Sequence, residues 1–389
     1  MSILHRPTIP ESEFRLRLSS LRHALQASGV DGVVLFCRAN IAWLTGFLPA
    51  ILAPNMASYA AFVPMEGEVS IFAMPGQANH IRESAWGEVT NIDTSQSLMR
   101  QLAGMAGVTG RVGVELSMGL HRAATASDLA LFDRLVGAER LVDVSEAIWR
   151  ARMVKTPWEA GVYRRLGEIT AEGFKAGLAK VGENVCEADI ARAMRERFLA
   201  LGADAGPTTG QVMVRSGRAR YPVFCGGPTG RKACFGEQVM LAGGPSLLGY
   251  HIDIHRFANI GPVEDLELDL WTRSREGLRA IVEATRPGAT TGQLFEIAIE
   301  AMRLHGAPKN AQWQVFGHGV GLENYEHPMI VEGGTEVLRE GVVLALEIPA
   351  YDVPDYRVMG AFLEDCVVVT ADGCEVLTAG VPLELHVAG

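Results

Sequence analysis

Two glutamates stand inside stretches otherwise fit for a buried strand, Glu347 in the run Val342 to Ile348 and Glu364 in the run Ala361 to Val369. An unpaired charge in such a place costs several kcal/mol, and a bound cation removes most of that penalty. Whatever fold this chain adopts has to accommodate both carboxylates. Each alone has an ordinary reading, since a strand glutamate can point to solvent or meet an arginine, and structural ion pairs also perturb carboxylates.

Two more segments carry groups of the same kind. In Gly249-Tyr-His-Ile-Asp-Ile-His-Arg256, period-two alternation predicts a strand with His251, Asp253 and His255 on one face and Ile252 and Ile254 on the other. In Phe316-Gly-His-Gly-Val-Gly-Leu322, glycines on both sides of His318 let backbone approach closely and leave one imidazole projecting from a restricted loop. One Asp, one His and two Glu make an oxygen and nitrogen donor set suited to Zn, Mn, Co or Fe in the divalent state. The six cysteines contain no C-x-x-C pair, and Cys225 and Cys234 read as isolated thiols before they read as a chelate.

At 389 residues the chain is long enough for two to three domains. Its 48% apolar and 21% charged residues fit a folded globular protein. The formal charge of -10 repels phosphate backbones and anionic headgroups, so neither nucleic acid nor a membrane surface is expected as a partner. With no apolar run of spanning length and no apolar leader in Met1 to Pro10, a cytoplasmic protein is expected.

Patterning predicts an opening amphipathic helix over 12–29, with Phe14, Leu18, Leu21 and Leu25 on one face before Gly29. Strands follow at 32–36, 60–64 and 69–73, then strands at 111–115 and 141–144 flanking a helix at 123–135. From Ile148 to Leu178 the pattern is helical, with a new start where Thr156 caps and Pro157 enters the first turn. A domain boundary is placed near Lys155. Beyond it come helices at 186–202, 266–285 and 291–305 between glycine-rich strand pairs at 210–262 and 339–378.

The chain resembles the creatinase, prolidase and aminopeptidase P family, the pita-bread hydrolases. Gly32 to Phe36 followed by Asn40-Ile-Ala-Trp-Leu-Thr-Gly46 is similar to the family's N-terminal domain, and Arg150 to Glu159 to its interdomain junction. More specific is the order Asp253, Gly-His-Gly-Val-Gly with His318, Leu-Glu-Ile-Pro with Glu347, and Leu-Glu-Asp with Glu364. The resemblance implies an α/β N-terminal domain over 1–153 and an α+β pita-bread catalytic domain over 154–389. It also implies a metal site of Asp253, His318, Glu347 and Glu364, and a homodimer.

Three positions depart from the family pattern. Ala242 stands eleven residues before Asp253, where the family has a further ligand Asp that holds a second metal. Tyr325 replaces a histidine seven residues after His318, and a family Pro-His pair reads here as Pro222-Val223. The resemblance thus implies at most one divalent ion, or metal-free chemistry of the creatinase kind, in which a His works with two Glu. A Glu of creatinase lies two residues beyond the position of Asp253, and His255 holds that place here.

The preferred reading is a hydrolase that breaks a C–N bond in a small amide, amidino compound or Xaa-Pro-type dipeptide. Glu347 takes the proton of an activated water, Tyr325 donates a hydrogen bond to the developing oxyanion, and without metal His255 or His251 serves as acid/base. Substrate contacts are expected from His251, Tyr221 and Arg218, the last among Arg215, Arg218, Arg220 and Arg231 in a loop able to meet a carboxylate. Two alternatives use the same scaffold. One is a metal-assisted lyase acting on a small zwitterion such as dimethylsulfoniopropionate; the other is a pita-bread binding protein without activity, which four retained ionisable ligands argue against.

Overall fold

The computed structural model describes residues 9–48, 59–108, 110–117, 124–205, 210–220, 226–307, 314–351 and 359–388. The chain divides into two compact units between Arg152 and Met153.

The N-terminal unit begins with α1 (Glu11–Leu25), which buries the expected stripe of Phe14, Leu18, Leu21 and Leu25. The helix runs into a short 3-10 turn and stops at Gly29, whose φ of +60° suits a residue without Cβ. Six strands follow: β1 (Gly32–Leu35), β2 (Tyr59–Pro64), β3 (Ser70–Ala73), β4 (Glu88–Asn91), β5 (Val112–Val114) and β6 (Leu141–Asp143). They form one mixed sheet in the order β4-β3-β2-β1-β5-β6. Helices α2 (Arg38–Thr45), α3 (Pro75–Ser84), α4 (Ser95–Val108), α5 (Ala126–Val136) and α6 (Ser145–Met153) complete the unit. Val34, Phe36, Phe62, Phe72, Leu98, Leu102 and Phe132 share one core.

Patterning did not anticipate α2, α3 or α4. Helix α2 is buried from Ala39 to Thr45 and so lacks the polar face that makes a period visible. Helix α3 buries only Ala78 and Ile81 among its described side chains, too few for a stripe. The stripe of α4, Leu98, Met99, Leu102 and Ala106, does have helical spacing.

In the C-terminal unit, α7 (Pro157–Leu178) starts as expected, with Pro157 in its first turn and a reciprocal cap between Thr156 and Glu159. Helices α8 (Glu187–Ala200), α9 (Asp265–Ala284) and α10 (Thr291–Leu304) follow. The described strands are β7 (Val212–Ser216), β8 (Gln238–Gly243), β9 (Ser246–Leu247), β10 (Tyr250–His251), β11 (His255–Ile260), β12 (Gly317–Gly319), β13 (Glu326–Met329), β14 (Val343–Tyr351), β15 (Met359–Val369), β16 (Cys374–Val376) and β17 (His386–Ala388). One sheet runs β13-β12-β14-β15-β11-β8-β7, with β16 on β15 and β17 on β11.

Alternation along β14 sorts its side chains between two cores. Leu344, Leu346 and Ile348 pack with α9 and α10, whereas Val343 and Ala345 pack with residues of α7 and α8. Glu347 keeps the phase of Val343 and Ala345, and Glu364 keeps that of Cys366 and Val368 in the same core. Both carboxylates therefore lie buried on that same face of the sheet. Among the described residues, no helix is long and apolar enough to cross a membrane.

The continuous strand expected over 249–256 is broken. Tyr250 and His251 pair with Leu247 and Ser246 in a separate two-stranded ribbon, Ile252 and Asp253 lie outside any strand, and the main sheet resumes with Ile254 O accepting from Gly243 N–H at 2.9 Å and β11 beginning at His255. Asp204 accepts the backbone N–H groups of Leu248 and Gly249 at 3.1 and 2.7 Å, and His251 donates its own N–H to Gly321 O at 2.8 Å. Those bonds tie this stretch to other partners than the main sheet.

Candidate metal centre

The register of the large sheet lines up the residues of interest. Met213 of β7 lies opposite Ala242 of β8, Ala242 opposite His255 of β11, His255 opposite Glu364 of β15, and Glu364 opposite Glu347 of β14. His318 enters from β12, where it pairs with Ala345, two residues from Glu347. The close approach depends on glycine: a Cβ on Gly319 would stand 2.2 Å from His327 O. Asp253 reaches the same place from the irregular segment before β11, held by Asn324 Nδ2 at 2.6 Å and by its neighbour Ile254 N–H at 3.1 Å.

Five groups fall into two sets, Asp253 with His255 and Glu364, and His318 with Glu347 and Glu364. Within each set one ligand atom per residue lies within 4.8 Å of the others, and all five residues are buried. The donors fit a divalent ion. His318 Nδ1 bonds Gly319 O at 2.9 Å, which assigns the proton to that nitrogen and leaves Nε2 as a lone-pair donor. His318 Nε2 and Glu364 Oε1 are buried polar atoms without a hydrogen-bond partner among the described residues. Atoms of this kind are costly unless something outside the chain satisfies them.

Electrostatics agree with that need. Burial, reinforced by the charges of Glu364 and Asp253, pushes the Glu347 carboxyl well above the usual range. Glu364 is raised by burial and then by Asp253 and Asp365, against the opposing Arg256. Asp253 is raised by burial although His255 and Asn324 oppose it. Burial pushes His318 down to about 4, and His255 likewise down to about 4, with Arg215 and Arg256 adding to the effect on His255. Near neutral pH the site thus offers neutral imidazoles with lone pairs to give, beside carboxyls that resist ionising alone and that a bound cation would bring back to the charged form by displacing their protons.

The remaining expectations fare differently. His255, expected to do acid/base work, stands in the first set: its Nδ1 contacts Glu364 Oε2, its ring stacks on Phe362 at 4.5 Å, and with its pKa lowered to about 4 the imidazole is uncharged near neutrality. His251 joins neither set, because the break in the strand carries it into the β9–β10 ribbon. Tyr325 is half exposed and stacks on the His318 ring at a centroid distance of 3.7 Å, beside the site. Arg218 pairs with Glu264 at 2.9 Å, Arg220 with Glu187 at 3.3 Å and Arg231 with Glu237 at 2.5 Å, so these three cations meet carboxylates of the chain itself, whereas Arg215 Nε donates to Gly226 O at 3.4 Å. Tyr221, Pro222, Val223 and Cys225 lie outside the described residues.

Sequence reasoning missed Asn324 and Glu326. Buried Glu326 sits 3.5 Å from Lys155, which the sequence marked only as a boundary residue. No local period points to either residue, since their role comes from contacts with distant segments.

Residues 161–371 match the model of Metallopeptidase family M24, and residues 17–154 match that of the Creatinase/Prolidase N-terminal domain. The chain belongs to metallopeptidase family M24. It is an enzyme of the hydrolase class, as the resemblance implied, with the creatinase-type N-terminal domain and the pita-bread C-terminal domain. An M24 relative, the Xaa-Pro dipeptidase of Lactobacillus helveticus, is 26% identical over 367 residues, covering 93% of this chain and 96% of its own. Two solved structures share the M24 fold. Dipeptidase PepE from Mycobacterium ulcerans has a TM-score of 0.83 at 24% identity, covering 98% of this chain and 99% of its own. The Xaa-Pro dipeptidase from Bacillus anthracis has a TM-score of 0.82 at 20% identity, covering 96% and 99%.

Proposed function

We propose that this M24 member hydrolyses dipeptides of Xaa-Pro type, with a divalent ion (Zn, Mn, Co or Fe) held by Asp253, His318, Glu347 and Glu364. The observation that carries the reading is the pair of buried, partnerless donors, His318 Nε2 and Glu364 Oε1, beside Glu347. The dipeptide substrate class rests on the Lactobacillus relative, whose name states that activity. A bound divalent ion supplies Lewis acidity that brings the pKa of a water towards neutrality.

Glu347 accepts a proton as the water oxygen bonds to the scissile carbonyl carbon. The same proton then passes to the departing prolyl nitrogen as the C–N bond breaks. Tyr325, whose ring stacks beside that of His318, donates a hydrogen bond from its hydroxyl to the negative charge developing on the carbonyl oxygen.

The test is hydrolysis of Ala-Pro and Leu-Pro against Ala-Ala and Leu-Ala, using protein stripped with a chelator and then given Mn, Co or Zn. Cleavage of the prolyl dipeptides that disappears on stripping and returns with a cation is expected. Turnover that survives stripping would replace this reading with creatinase-like acid/base chemistry, and no turnover with any cation would remove the substrate class.

A further inference from the structure

The two ligand sets share Glu364 and otherwise have separate members. Only one of them, His318 with Glu347 and Glu364, consists entirely of residues expected to hold metal. The other contains His255, and its position in the sheet gives it a distinct meaning. His255 lies directly opposite Ala242 on one side and directly opposite Glu364 on the other. Directly opposed residues of an antiparallel ladder have Cβ atoms about 4.5–5.5 Å apart. An aspartate at 242 and an imidazole at 255 would therefore compete for the same space next to Glu364.

The methyl of Ala242 leaves that space to the imidazole. His255 is buried, its ring is fixed by stacking on Phe362, and its Nδ1 faces the Glu364 carboxylate. Asp253 lies within reach of the same point and is itself oriented by Asn324. A donor lost from β8 is thus matched by a donor gained on the neighbouring strand.

We infer that His255 replaces the missing aspartate as a metal ligand, so that the protein holds two divalent ions: one on His318, Glu347 and Glu364, the other on Asp253, His255 and Glu364. The inference rests on the metal-binding part of the function proposed above and revises it, from one ion on four ligands to two ions that share Glu364, with Asp253 assigned to the second. Exchanging a carboxylate for an imidazole removes a hard anionic donor, so the second site favours Zn or Co over Mn or Mg.

The experiment is metal stoichiometry. Full-length protein is stripped with a chelator, dialysed against excess Zn or Co, freed of unbound ion and analysed for metal per chain. Two equivalents are expected for the natural sequence, one for His255→Ala, and two again for the double variant Ala242→Asp/His255→Thr. One equivalent in the natural sequence, or two in His255→Ala with unchanged affinity, would overturn the inference and reduce His255 to a hydrogen-bond partner of Glu364.

Should His255→Ala fail to fold, cobalt titration of the natural protein still decides. Through the shared Glu364, a second equivalent is expected to alter the paramagnetic resonance signal of the first, whereas a second equivalent that appears as free aquo-ion refutes the proposal. Two bound ions without prolyl dipeptide cleavage would retire the substrate and keep the site. Cleavage with a single bound ion would do the reverse.

Discussion

Glu347 and Glu364 stand directly opposite one another on adjacent antiparallel strands, both buried and both displaced upward in pKa. Like charges in that position destabilise a sheet, so the metal-free protein carries a local cost that a cation relieves. Replacing Glu347 with Gln is expected to lower kcat by about 10²–10⁴-fold, the usual contribution of a general base. The metal-free variant should be at least as stable as the natural protein, by up to ~1 kcal/mol, because one of two opposed charges is gone. Urea denaturation of both stripped proteins checks this, and a large loss of stability would show that Glu347 is a structural partner.

Tyr325 gives a way to separate packing from chemistry. Its ring lies 3.7 Å from that of His318, and Phe preserves the stack while removing the hydroxyl. Tyr325→Phe is expected to bind metal as the natural protein does and to lose about 10²-fold in kcat, as when one oxyanion donor is deleted. Steady-state kinetics beside metal analysis measures both, and an unchanged kcat would leave Tyr325 as packing alone.

Gly319 sets how closely β12 and β13 approach. A methyl there would lie 2.2 Å from His327 O, a backbone atom with no rotamer to yield, so the strands must separate. Gly319→Ala is expected to cost about 1–3 kcal/mol, the range for overpacking, and to weaken metal binding by shifting adjacent His318. Thermal unfolding with and without Zn tests it: the metal-dependent rise in Tm should shrink in the variant.

Glu187 predicts a pH effect away from the metal. Its carboxylate accepts from Ser216 N–H and Oγ–H, Thr229 N–H and Oγ–H, and Arg220. Burial alone would raise its pKa, but the bonds from Thr229, Ser216 and Arg220 together hold it below the usual value. A depressed folded pKa gives stability that is present above the unfolded value, about 4.3, and is lost as pH falls below it. Glu187→Gln should therefore cost about 1.5–3 kcal/mol at pH 7, the worth of hydrogen bonds to a charged group, and less at pH 3.5. Denaturant unfolding at the two pH values decides, and an equal cost at both would remove the charge from the explanation.

Much of the fold was legible because its signals are local. The stripe of α1, the cap at Thr156 and Pro157, and the apolar runs of β14 and β15 are properties of neighbouring residues, and the structure places those elements there. The strand expected over 249–256 was misread because alternation cannot show that Gly321 and Asp204 capture part of its backbone. The partners of the arginines at 218, 220 and 231, namely Glu264, Glu187 and Glu237, are found only by folding, because they lie in other segments or depend on the path of the loop.

By itself the sequence determined which residue types had to be neutralised: acids inside apolar strands and an imidazole between glycines are unfavourable in any fold that leaves them alone. Tertiary structure decided which of them meet. Ala242 and His255 are thirteen positions apart in the chain, yet the pairing of β8 with β11 makes them direct neighbours, and that of β11 with β15 brings Glu364 against both the imidazole and Glu347. Register is a long-range property, set by how whole strands bury their apolar faces, so no local pattern could show that Ala242, His255, Glu364 and Glu347 stand in one row across the sheet.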